Sequence, residues 1–181
     1  MRIVFDTCVL VPSFLREVLL ACAEVGKADY IVSHKILTEW SNVAKSKLDK
    51  LEAEIAVAEF RKKHPLAISS DAASLAQFWL PDSNDIHVLA LAVEQNADAI
   101  LTFNKKDFPR QILDQYGLIR LDPDHVILEY LKDDAPIIIE IAQDLLSEAN
   151  RKFNQEWTIR QLLRKARLPR TAKALSILID V

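Results

Sequence analysis

Apolar positions follow two rhythms along the first two thirds of the chain. Compact blocks, Ile3-Val4-Phe5, Tyr30-Ile31-Val32, Ala99-Ile100-Leu101 and Leu118-Ile119-Arg120-Leu121, predict short buried strands. Leu66-Ala67-Ile68 predicts one more. Between the blocks the spacing turns helical. Leu15, Val18, Leu19 and Ala23 define a helix ending near Gly26, and Ile36, Trp40, Val43 and Ala44 define the stripe of another that Ser33 caps. A helix over about 50–62 closes on the basic cluster Arg61-Lys62-Lys63, and Ser83-Asn84-Asp85 caps a helix, Ile86 to Glu94, that is apolar almost all round and therefore central and buried. Beyond residue 121 the pattern is helical only, over about 123–132, 136–150, 157–166 and 170–179.

Strands alternating with helices predict an α/β fold, a central parallel sheet with helices on both faces. The helical stretch is an extension, so the division is a core of 1–122 and an extension of 123–181 within one structural domain. A length of 181 residues suits one domain with a substantial core. No apolar run reaches the ~18–20 residues that span a bilayer, and Asp6 interrupts any signal core at the N-terminus, which points to a cytoplasmic protein away from membranes. Cys8 and Cys22 are too few for a disulfide scaffold and read as thiols of a reducing compartment.

Gly26 and Gly117 are the chain's two glycines, so neither a GxGxxG fingerprint nor a Walker loop can be written. Any phosphate handled here falls to metal ions or to Lys and Arg. Charge is uneven: residues 81–150 carry fourteen acids and five bases, and residues 151–181 two acids and eight bases. The basic tail suits either its own acidic domain or a nucleic acid.

Four acids fall at element junctions: Asp6 closing the first strand, Glu39 at the margin of its helix's stripe, Asp85 at the start of the buried helix, and Asp107 just after a strand. Each has an ordinary reading, as a water-facing Glu, a helix cap or a turn residue. Jointly they say more. Right-handed crossovers place these junctions on one rim of the sheet, where open α/β folds collect their chemistry. Carboxylates gathered without matching bases repel and ask for a divalent cation.

The joint pattern resembles the PIN-domain family of metal-dependent ribonucleases, in particular VapC-like toxins of toxin–antitoxin pairs. Ile3-Val4-Phe5-Asp6-Thr7-Cys8-Val9-Leu10 is similar to the first acid motif, with Cys8 where the family more often has Asn or Ser. Ser33-His34-Lys35-Ile36-Leu37-Thr38-Glu39-Trp40 is similar to the second, and Asp85-Ile86-His87-Val88-Leu89-Ala90 to the third. Thr102-Phe103-Asn104-Lys105-Lys106-Asp107-Phe108-Pro109 is similar to the fourth.

The resemblance implies a three-layer α/β/α fold and a hydrolase in which Asp6, Glu39, Asp85 and Asp107 hold Mg²⁺ or Mn²⁺ to cleave RNA phosphodiester bonds. Thr102 and Asn104 would orient a metal water or a phosphate oxygen, Asp82 would support from behind or cap its loop, and His87 reads as structural. It also implies a cognate antitoxin and a homodimer, and Cys8 would weaken magnesium binding or selectivity. A non-catalytic scaffold that binds a partner or RNA is the alternative. A haloacid-dehalogenase-like phosphatase needs an Asp where Cys8 stands, and a receiver domain needs an acidic pair at the first strand. In the tail, Arg160, Arg164 and Arg167 recur at three- and four-residue spacing, which predicts one helical side facing RNA or an acidic partner.

Overall fold

The computed structural model describes residues 1–25, 28–43 and 47–179, so Gly26 and Ala44, named above as a helix end and a stripe position, lie outside the described residues. The chain runs from β1 (Arg2–Phe5) through α1 (Thr7–Leu10) and α2 (Ser13–Val25) to β2 (Asp29–Ser33), α3 (His34–Asn42) and α4 (Lys47–Lys63). A 3-10 turn at Pro65–Ala67 leads to β3 (Ile68–Ser69), and a second at Ser83–Asp85 leads to α5 (Ile86–Glu94). Next come β4 (Ala99–Leu101), α6 (Arg110–Leu113) and β5 (Ile119–Leu121). The helices α7 (Pro123–Asp133), α8 (Ala135–Phe153), α9 (Ile159–Lys165) and α10 (Pro169–Ile179) complete the chain.

The sheet has five parallel strands in the order β3-β2-β1-β4-β5, flanked by helices in the α/β/α manner. Parallel strands covered on their faces must be apolar throughout. Val4, Ala99, Ile100 and Leu101 are accordingly sealed from solvent, as are Val88 to Ala92 of α5, the helix expected to be central. Chain order reverses at β1, which has β2 on one side and β4 on the other. Such a reversal opens a crevice at the carboxyl ends of the strands.

The chain forms two compact units, one of Met1–Val11 and Ala28–Leu121, the other of Pro12–Lys27 and Asp122–Val181. The first holds the sheet and every expected acid. The second gathers α2 with α7 to α10. Within it Asp124, almost fully buried, accepts hydrogen bonds from the N–H groups of Arg170 (2.8 Å) and Thr171 (2.9 Å) and from the Thr171 hydroxyl (2.7 Å). Those donors belong to the first turn of α10, so a distant acid caps that helix while Pro169 begins it.

Four local expectations are corrected. β1 ends at Phe5, and Asp6 follows it in extended conformation as the residue before α1. That short helix was not expected, because Thr7 and Val9 are β-branched and weak helix formers; burial of Val9 and Leu10 decides instead. The strand expected at Leu66-Ala67-Ile68 is present but displaced to Ile68–Ser69: Pro65 opens a 3-10 turn, Leu66 points wholly into solvent, and pairing with β2 begins at Ile68. Val43 is half exposed rather than part of a buried stripe, since α3 ends at Asn42 and Val43 caps it.

The tail arginines need correction as well. Arg160 and Arg164 are exposed on α9, but that helix ends at Lys165. Arg167 sits beyond it with φ 66°, in a left-handed turn closed by Arg167 N–H to Arg164 O and Leu168 N–H to Leu163 O. Leu168 is fully buried, and its anchoring after the turn takes Arg167 off the helical side that sequence spacing suggested.

Candidate metal centre at the carboxyl ends of the strands

Asp6 follows the central strand and is held from three directions. Its N–H donates to Leu101 O of β4 at 3.1 Å, continuing the ladder past the strand end. Its Oδ2 accepts from the Thr102 hydroxyl at 2.6 Å and from the Cys8 thiol at 3.0 Å. Thr102 is fully buried, and its Oγ1 also accepts from Asn104 N–H at 2.9 Å, so the segment leaving β4 is tied to the segment leaving β1. Burial, then the adjacent Asp6, pushes the Cys8 thiol up to about 12. Without a cation nearby Cys8 is held in its thiol form, in which it serves Asp6 as a donor.

A second group of acids lies on the same rim. Among the described residues, Asp82, Asp85 and Asp107 bring carboxylate oxygens within 4.8 Å of one another. Asp82 approaches through the turn entering α5, where its Oδ1 accepts from Asn84 N–H at 2.9 Å. Asp85 precedes α5 but makes no capping hydrogen bond with its side chain, which instead accepts from Asn104 Nδ2 at 3.3 Å. Partial burial, then Asp6, Asp82 and Asp107, raise Asp85 to about 7, with His87 pulling weakly the other way. Desolvation and like charge both disfavour the ionised form of this carboxylate.

Glu39 is placed differently. Its Oε2 accepts from the Thr7 hydroxyl at 2.9 Å, and its Oε1 lies 2.8 Å from His87 Nε2, close but not aligned as a hydrogen bond. Partial burial would raise its pKa, but His87, Thr7 and Lys35 outweigh that and hold Glu39 below the usual carboxylate range. Thr7 adjoins Asp6 and His87 lies two residues past Asp85, so Glu39 is linked to both other acids through their sequence neighbours. His87 is buried, as suits a structural residue, with Nε2 beside the Glu39 carboxylate.

The structure thus gathers Asp82, Asp85 and Asp107, sets Asp6 within electrostatic reach of Asp85, and joins Glu39 through Thr7 and His87. Asn104 contacts Asp85, and Thr102 contacts Asp6. Arg160, Arg164 and Arg167 belong to the other unit. Sequence reasoning understated Asp82, whose capping role and membership of the cluster coexist, and it missed the Glu39–His87 pairing. The spacing Asp85-x-His87 was the available signal. All these donors are hard oxygens, the set that suits Mg²⁺ or Mn²⁺, and a cation would counter the burial and the like charges that raise Asp85.

The sequence pattern of the PIN domain matches residues 2–106, more than half of the chain, taking in Asp6, Glu39 and Asp85 and stopping one residue before Asp107. No curated protein and no solved structure matches the chain.

Proposed function

The chain belongs to the PIN domain family, and from that premise we propose that it is a divalent-metal-dependent endoribonuclease, the toxin of a toxin–antitoxin pair. The observation that carries the nuclease reading is the convergence of Asp82, Asp85 and Asp107 beside Asp6, with Asp85 raised to about 7 by partial burial and then by that company. The toxin role is supported by the VapC-like spacing of the acid motifs around Glu39, Asp85 and Asp107.

Asp6, Asp85 and Asp107 would hold the cation, with Glu39 as the fourth acid and Asp82 behind them. A bound Mg²⁺ or Mn²⁺ supplies neutralisation of these carboxylates, activation of water, and stabilisation of the charge that develops at phosphorus. Thr102 and Cys8 keep Asp6 pointed toward the rim by donating to its Oδ2. Asn104 does the same for Asp85. Glu39 is held below the usual carboxylate range beside Thr7 and His87, which keeps it charged as a ligand for the cation.

The purified chain is expected to cut single-stranded or structured RNA with Mg²⁺ or Mn²⁺ and to stop when EDTA is added. Cleavage that continues undiminished in chelator overturns the metal mechanism. RNA binding without cleavage under any divalent cation moves the protein to the scaffold reading. An open reading frame for a DNA-binding antitoxin beside the gene, and its ability to silence cleavage, tests the toxin assignment.

A further inference from the structure

Trp79 is 66% exposed, whereas the residues on either side of it, Phe78 and Leu80, are 6% and 2% exposed. An isolated apolar side chain on a surface needs no explanation by itself. Trp79 differs in how its backbone is held. Phe78 packs its ring on Tyr116, with centroids 5.5 Å apart, and its N–H closes a turn onto Leu75 O at 3.1 Å. Leu80 is buried on the other side, and Pro81 restricts the chain as it enters the turn carrying Asp82. Anchors on both flanks project the indole into solvent from a fixed segment.

Position gives the projection a use. Trp79 precedes Asp82 by three residues, a reach of at most about 10 Å along the backbone. Asp82 belongs to the carboxylate cluster, so the exposed indole is carried on a segment whose backbone lies within that reach of it. On the segment entering the same cluster from β4, Lys105 and Lys106 are exposed immediately before Asp107. A single strand crossing such a site meets a face for a base and cations for the backbone, the two components of sequence-tolerant binding.

We propose that Trp79 is a stacking platform for an unpaired nucleobase adjoining the scissile phosphate, a positioning residue that holds one nucleotide of the bound strand. The inference rests on the ribonuclease reading above. It commits to a nucleobase because the ring is bound to the cluster's own loop.

The probe is a single-stranded oligoadenylate of about 12 nucleotides, with and without an abasic site at the position flanking the cut. With Mg²⁺, Trp79→Ala is expected to raise KM about tenfold on the intact strand and to change kcat little, and Trp79→Phe to recover most of the loss. On the abasic strand the parent and Trp79→Ala should coincide. That coincidence separates stacking from a loop defect, which would persist whatever the substrate carries. A penalty that survives on the abasic strand, a fall in kcat alone, or unchanged KM overturns the proposal. Binding to Asp85→Asn, followed by tryptophan emission, keeps this test apart from the nuclease reading. Trp40 is buried, and the partly exposed Trp157 is replaced by Phe throughout, so quenching by oligoadenylate should disappear when Trp79→Phe is added. Quenching with no cleavage by the parent defeats the nuclease reading and supports the platform, whereas cleavage without quenching does the reverse.

Discussion

Two aspartates in the two units show how one side chain type comes to different ends. Asp124 of the helical unit is more deeply buried than Asp85 of the sheet unit. It is nevertheless the better satisfied, with two backbone N–H groups and a hydroxyl converging on its carboxylate. Asp85 receives one long amide contact from Asn104 and faces Asp6, Asp82 and Asp107. Burial alone therefore does not mark a functional acid. The mark is a shortage of donors combined with an excess of like charge, a deficit that a bound proton or a cation relieves.

Activity should break the comparison most sharply. Asp85→Asn or Asp6→Asn is expected to lower metal-dependent cleavage about 100-fold or more while the fold stays as stable as the parent or gains slightly. Mg²⁺ should raise the melting temperature of the parent more than that of either variant. Equal shifts in all three proteins would deny a shared site.

Asp124→Ala should reverse this profile. Removing the carboxylate leaves the first turn of α10 and the Thr171 hydroxyl without their acceptor, at a cost of about 2–3 kcal/mol. Denaturant titration should show that loss, and cleavage per folded molecule should be retained.

The pH dependence of stability sharpens the contrast further. Asp85 is raised from 3.8 to about 7 in the folded chain. Below pH 3.8 it is protonated in both states and contributes nothing to the pH dependence. As pH climbs toward about 7 the unfolded chain has released the proton and the folded chain retains it, so metal-free stability falls across that window. Asp85→Asn should remove this component, and saturating Mg²⁺ should flatten it. Melting curves of parent and variant that stay parallel from acid to neutral pH would show that no strain of this kind exists.

The smallest effect belongs to the exposed arginines of α9. Replacing Arg160 and Arg164 with Gln should reduce the salt dependence of RNA binding by roughly 0.7 in log–log slope for each phosphate that is no longer neutralised, and leave kcat in place. An unchanged slope would remove α9 from the RNA interface, and a collapse of kcat would move an arginine into the catalytic site.

The sequence by itself determined the alternation of strands and helices, the burial of α5, and the positions of the acids at element ends. These properties are local: hydrophobic period and cap chemistry are written in neighbouring residues. Only the tertiary structure decided what the acids meet. That Asp82 caps a turn and also joins a cluster, that Cys8 donates to Asp6, and that His87 lies beside Glu39 depend on strand order and crossovers between residues far apart in the chain. The same holds for α1, whose β-branched residues argue against a helix until Val9 and Leu10 find the core, and for Arg167, turned off its helix by the burial of Leu168. Propensity spans fractions of a kcal/mol per residue, and burying one large apolar side chain outweighs it.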